Sequence, residues 1–116
     1  MSKSYPEITH RIAENLKALR RNQPEVTQAF NAMAKAATAD GALDTKTKEL
    51  IALAIGVAQH CDGCIGFHTR ALVRLGATRA EVEEALSMAI YMGGGPAMMY
   101  AADAIMAYDQ FVAQGT

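Results

Sequence analysis

Cys61-Asp62-Gly63-Cys64-Ile65-Gly66-Phe67-His68-Thr69-Arg70-Ala71-Leu72-Val73-Arg74-Leu75-Gly76 is the stretch from which the rest of the chain is read. Ile65, His68, Leu72 and Leu75 recur at three- and four-residue intervals, the spacing of one helical face, and Gly76 suits the left-handed residue that closes a helix. The run reads as a helix that begins at its cysteines. Cys61 and Cys64 lie three residues apart and His68 follows four after Cys64, so on one helix all three share a face. The unpaired N–H groups of the first turn sit beside the thiols, where the positive end of the helix favours thiolate over thiol.

Toward the N-terminus, Asp44 is a plausible N-cap for a helix over 45–59, with Leu50, Ile51, Ala54, Ile55 and Ala58 as apolar positions. Glu49, Leu53, Gly56 and His60 form a stripe along the same helix. A hairpin with its apex near His60 places Glu49 opposite about residue 71, one turn from His68, with Gly56 and Gly66 allowing the two helices to approach. The pairing predicts a relay in which Glu49 orients or deprotonates His68, directly or through water, and His68 accepts a proton from Cys64. Two cysteines this close can close a disulfide once one has become a sulfenic acid.

Toward the C-terminus, Thr78-Arg79-Ala80-Glu81 matches a capping box, and Val82, Leu86, Ala89 and Ile90 supply the stripe of the next helix. Gly93-Gly94-Gly95-Pro96 breaks it. Residues 97–112 are then apolar almost all round, including Met98, Met99, Ala101, Ala102, Ile105, Met106 and Phe111. A helix apolar on every side needs cover on every side, and a 116-residue chain has few other elements to give it. Ahead of the motif, Ser4-Tyr5-Pro6 opens a first helix carrying Ile8, Ile12, Leu16 and Leu19 and ending near Arg21-Asn22. Pro24 opens a second, with Val26, Phe30, Met33 and Ala37 as its inward face, ending at Asp40-Gly41. No stretch alternates apolar and polar long enough to make a half-buried strand. The expected architecture is all-α: a compact bundle of about six helices, one domain over 1–116 with a motif-bearing core at about 40–108, completed by oligomerisation.

Composition narrows the function classes. Lys and Arg total 11 against 12 Asp and Glu, a net charge of −1 with no basic stripe, so nucleic acid is not an expected partner. The chain shows neither a secretory leader nor an apolar run long enough to span a bilayer, which leads to a soluble, cytoplasmic expectation without membrane partners. In a reducing compartment, two cysteines confined to one motif point to redox or metal chemistry rather than to a structural cross-link. Zinc would find three ligands in Cys61, Cys64 and His68, but structural sites generally take a fourth. No metal and no organic cofactor are expected.

Glu49 followed by Cys61-x-x-Cys64-x-x-x-His68 on an alanine-rich helical chain resembles the AhpD-like alkylhydroperoxidases of the carboxymuconolactone decarboxylase superfamily. The resemblance runs from about Asp40 to Tyr108 and includes Cys-x-x-Cys-Ile-x-x-His-Thr-x-x-Ala-Leu, the Gly76-Ala77-Thr78-x-x-Glu81-Val82 turn and Gly93-Gly94-Gly95-Pro96. It implies an all-helical fold assembled as a trimer or hexamer. It further implies reduction of organic hydroperoxides at the expense of a dithiol or protein reductant. By position, Cys64 matches the peroxidatic cysteine, Cys61 the resolving one, and His68 and Glu49 the proton relay. The chain departs from the family pattern at Gly63, where a histidine often stands, and Asp62 puts a negative charge where it opposes thiolate formation. His60, adjacent to Cys61, is a further candidate to compensate. Two other readings stand beside this one: a non-catalytic redox-sensing or assembly module, and a decarboxylase-like or lactone-handling member of the same superfamily, against which the two cysteines argue.

Overall fold

The computed structural model describes residues 3–115 and consists of helices and short connections, with no strand among the described residues. Five helices follow one another: α1 Tyr5–Asn22, α2 Pro24–Thr38, α3 Thr45–Ala58, α4 Asp62–Arg74 and α5 Arg79–Gln114. Four of the five starts are set by side chains that satisfy first-turn N–H groups, while Gln23 ahead of α2 makes no such cap. Ser4 accepts from Glu7 N at 3.3 Å and Asp44 from Thr47 N at 2.8 Å. Thr78 and Glu81 cap each other reciprocally. Gly76, at φ 78°, ends α4.

The expected fifth and sixth helices form one long element, α5, bent where Gly94 adopts φ 74° and ψ −156°. Only glycine enters that region cheaply, and Pro96 two residues on falls in the first turn of the second limb, where its missing N–H has no partner to lose. The second limb is not covered all round by the chain itself. Ala97, Ala101, Ala104, Ala107 and Phe111 are buried, whereas Met98, Met99 and Val112 are exposed. The alanines make a narrow face on which other helices sit close, and α5 packs most extensively against α3. Leu53 and Val57 of α3, Ile65 and Leu72 of α4, and Val82, Leu86 and Ala89 of the first limb complete a core that also takes in Tyr5.

One expected core face is overturned. Val26, Phe30, Met33 and Ala37 do not point inward; all four are exposed, Phe30 by 63%, and α2 contributes no buried residue. Among the described elements the helix touches α1 and α3 alone. An apolar stripe fixes which side of a helix seeks cover, not which element supplies it, and the described residues supply none. No helix of the described residues is long and apolar enough to cross a membrane.

Candidate active site

The site is built where α3 hands over to α4. α3 ends in a turn whose left-handed position is filled by His60 at φ 58°, with His60 N donating to Val57 O at 3.1 Å and Cys61 N to Gly56 O at 3.0 Å. This is the Schellman pattern, in which glycine is the usual occupant. It reverses the chain within three residues and delivers Cys61 as the N-cap of α4, its sulfur accepting from Cys64 N at 3.2 Å. Cys61 and Cys64 are joined as a disulfide, their Cα atoms 5.2 Å apart, and both are half-buried.

His68 and Glu49 meet directly rather than through water. His68 Nδ1 lies 2.8 Å from Glu49 Oε2. A carboxylate only accepts, so Nδ1 carries a proton, and in the neutral form of the ring this leaves Nε2 as the lone-pair base. Glu49 is 7% exposed, and the half-buried His68 is the partner that keeps this carboxylate in the interior. One turn before His68 on the same helix stands Cys64. The paired helices thus hold a disulfide-linked cysteine pair and, one turn on, an oriented imidazole.

The close approach of α3 and α4 depends on Gly56 alone, not on Gly56 and Gly66. A Cβ on Gly56 would stand 2.7 Å from Cys64 Cβ. A Cβ on Gly66 would instead meet Thr9 and Tyr5 of α1, because Gly66 lies on another face of α4. His60 stacks its ring on Tyr100 with centroids 4.7 Å apart and planes 4° from parallel. Its left-handed backbone and this stack give it the turn that presents Cys61.

Sequence reasoning placed the Asp62 charge beside the cysteines but missed the partners that hold it. Asp62 accepts from the Tyr5 hydroxyl at 2.8 Å and pairs with Lys3 Nζ at 3.2 Å. Lys3 also pairs with Asp103 at 3.0 Å. These partners come from residues 57 or more positions away, and no local pattern announces them. Burial, reinforced by Asp62, pushes the Tyr5 phenol far above its ordinary range, so it stays a donor. The hydrogen bond to Asp103, supported by the one to Asp62, holds the Lys3 ammonium above its usual value. Among the described residues no group of three or more His, Cys, Asp or Glu is placed to hold a metal ion.

This arrangement can be set against known proteins. The model of the carboxymuconolactone decarboxylase family matches residues 24–107. An uncharacterised protein of Cupriavidus necator is 47% identical over 92 residues, 79% of this chain and 81% of that one. An uncharacterised protein of the Paracoccus denitrificans cox locus is 35% identical over 107 residues, covering 92% and 93% of the two chains. The crystal structure of a carboxymuconolactone decarboxylase family protein from Legionella pneumophila, in its apo form, superimposes with a TM-score of 0.90 at 54% identity over 92% of this chain and 96% of that one. A family protein from Thermotoga maritima, for which a part in the antioxidative response has been suggested, gives 0.78 at 28% identity over 97% and 93%.

Proposed function

Because the chain belongs to the carboxymuconolactone decarboxylase family, we propose that it is a thiol-dependent peroxidase or disulfide oxidoreductase that reduces organic hydroperoxides through Cys61 and Cys64. The observation that carries the reading is the His68–Glu49 couple, 2.8 Å apart and one turn from a cysteine already paired with its neighbour. A buried carboxylate that fixes an imidazole tautomer costs desolvation, and a merely structural pair of this kind has little to recommend it over apolar packing.

In the proposed cycle His68 Nε2 takes the Cys64 proton, and the thiolate attacks the terminal oxygen of the hydroperoxide. The O–O bond breaks, its electron pair leaves with the alkoxide, and the imidazolium returns the proton to give the alcohol. Cys64 is then a sulfenic acid. The Cys61 thiolate attacks its sulfur, water departs after protonation, and the disulfide forms. A dithiol or protein reductant supplies two electrons and two protons to reopen it. Cytoplasmic localisation and assembly as a trimer or hexamer belong to the same proposal; the bare apolar face of α2 supports the second.

A second order of events is favoured by one contact. Cys61 Sγ, not Cys64 Sγ, accepts a first-turn N–H at 3.2 Å, which stabilises a Cys61 thiolate. That would make Cys61 the attacker in disulfide exchange. General-base assistance typically contributes about 10²–10⁴-fold, against about 0.3–1 kcal/mol for an exposed helix terminus, so Cys64 is assigned the peroxide. Dimedone-type trapping after one equivalent of organic hydroperoxide tests the assignment: Cys61→Ser should be labelled at Cys64 and Cys64→Ser should stay unlabelled. Label on Cys61 in Cys64→Ser, with none on Cys64 in Cys61→Ser, reverses the two roles.

A further inference from the structure

Asp62 stands at the first helical position of α4, between the two cysteines, and a free carboxylate there would compete with a thiolate for the positive helix end. It is not free. Lys3 Nζ lies 3.2 Å from Asp62 Oδ1, and the Tyr5 hydroxyl donates to the same oxygen at 2.8 Å. The segment bearing these two groups is itself bolted down. Tyr5 N donates to Gln110 Oε1 at 2.8 Å, and Gln110 Nε2 donates back to Lys3 O at 2.9 Å. Lys3 Nζ also sits 5.3 Å from the Tyr100 ring centroid, the ring on which His60 stacks immediately before Cys61. Two residues near the N-terminus thus meet at one carboxylate in the redox motif, held there by Gln110 near the other end of the chain.

We propose that Lys3 and Tyr5 are positioning residues that set the acidity and reduction potential of the Cys61–Cys64 pair by pinning and compensating the Asp62 carboxylate. The inference rests on the dithiol reading above and names what regulates it. Asp62, between the cysteines, pairs with Lys3, which also pairs with Asp103, and on the other side Glu49 pairs with His68, one turn beyond Cys64. Lys3 is the one cation in contact with the two aspartates among the described residues. Without it, the Asp62 carboxylate beside the cysteines keeps the Tyr5 hydroxyl but loses its countercharge, the thiolate is disfavoured, and the disulfide becomes harder to reduce. Tyr5 contributes by drawing the Asp62 charge toward a fully buried hydroxyl and fixing where that charge sits.

The test uses the full chain and two readouts independent of peroxide: the pH profile of iodoacetamide alkylation of the reduced protein, and the midpoint of disulfide reduction in dithiothreitol buffers. Lys3→Met should raise the lower thiol pKa by about half a unit, about threefold less thiolate below that pKa, and move the midpoint toward harder reduction. Tyr5→Phe should shift both in the same direction. Asp62→Asn should shift both the opposite way and shrink the Lys3→Met effect when combined with it, and Lys3→Arg should restore wild-type values. Lys3 is exposed, so its variants test the idea even where Tyr5→Phe costs stability. Unchanged alkylation profiles and midpoints in Lys3→Met and Asp62→Asn would overturn the proposal. These shifts appearing in a protein that ignores hydroperoxide would sustain it while removing the peroxidase reading.

Discussion

Replacing Gly56 by alanine probes whether the site depends on the contact between α3 and α4. The new Cβ would lie 2.7 Å from Cys64 Cβ, where ordinary contact starts at 3.4 Å. The neighbour is a Cβ next to a helix backbone, with Cys64 Cα and C also within 4 Å, so no flexible side-chain end can swing away. The two helices must part by roughly 0.7 Å in a close-packed interior. Alanine improves helix propensity by about 1 kcal/mol, whereas overpacking of this kind costs about 1–3 kcal/mol. The net expectation is a loss of up to about 2 kcal/mol. The larger effect is on geometry, because Glu49 lies on α3 and His68 on α4, and their 2.8 Å contact spans the parted surface. A misplacement near 1 Å can cost about 10²-fold in rate. Urea denaturation gives the first number and stopped-flow oxidation of the reduced protein by an organic hydroperoxide the second. A variant stabilised by about 1 kcal/mol and oxidised at the wild-type rate would refute the reasoning, since propensity alone would then account for the change.

Further outcomes follow from other parts of the molecule. Glu49→Gln and His68→Ala should each slow the first oxidation step, His68→Ala by about 10²–10⁴-fold, while circular dichroism stays native; undiminished single-turnover rates would remove the relay. Light scattering should report a homo-oligomer held by α5 together with the exposed face of α2, and Phe30→Glu with Met33→Glu should weaken it; a wild-type protein that is strictly monomeric at micromolar concentration sinks this expectation. Thr78→Ala removes half of the capping box and should cost about 1 kcal/mol in chemical denaturation with the disulfide chemistry intact, whereas a neutral result would assign the start of α5 to packing alone.

The helices and their ends were legible along the chain because the interactions that make them are local. Asp44, Thr78, Glu81 and Gly76 act on N–H and C=O groups within five residues, so the residue types themselves announce the caps. The meeting of Glu49 with His68 was legible for a related reason. A short hairpin turns helical spacing into a pairing rule, and nineteen residues of separation collapse onto one contact. What the tertiary structure alone decided is of another kind. The stripe Val26, Phe30, Met33 and Ala37 is real, yet whether the chain covers it depends on where neighbouring helices end, and periodicity carries no such information. His60 takes a left-handed conformation that glycine would have signalled and histidine does not. Lys3, Tyr5, Asp62 and Asp103 meet across up to 100 positions, brought together by the packing of α1, α4 and α5. Local energetics write helix starts, stops and faces into the sequence; which faces meet, and which charges then share one site, is settled when the chain closes on itself.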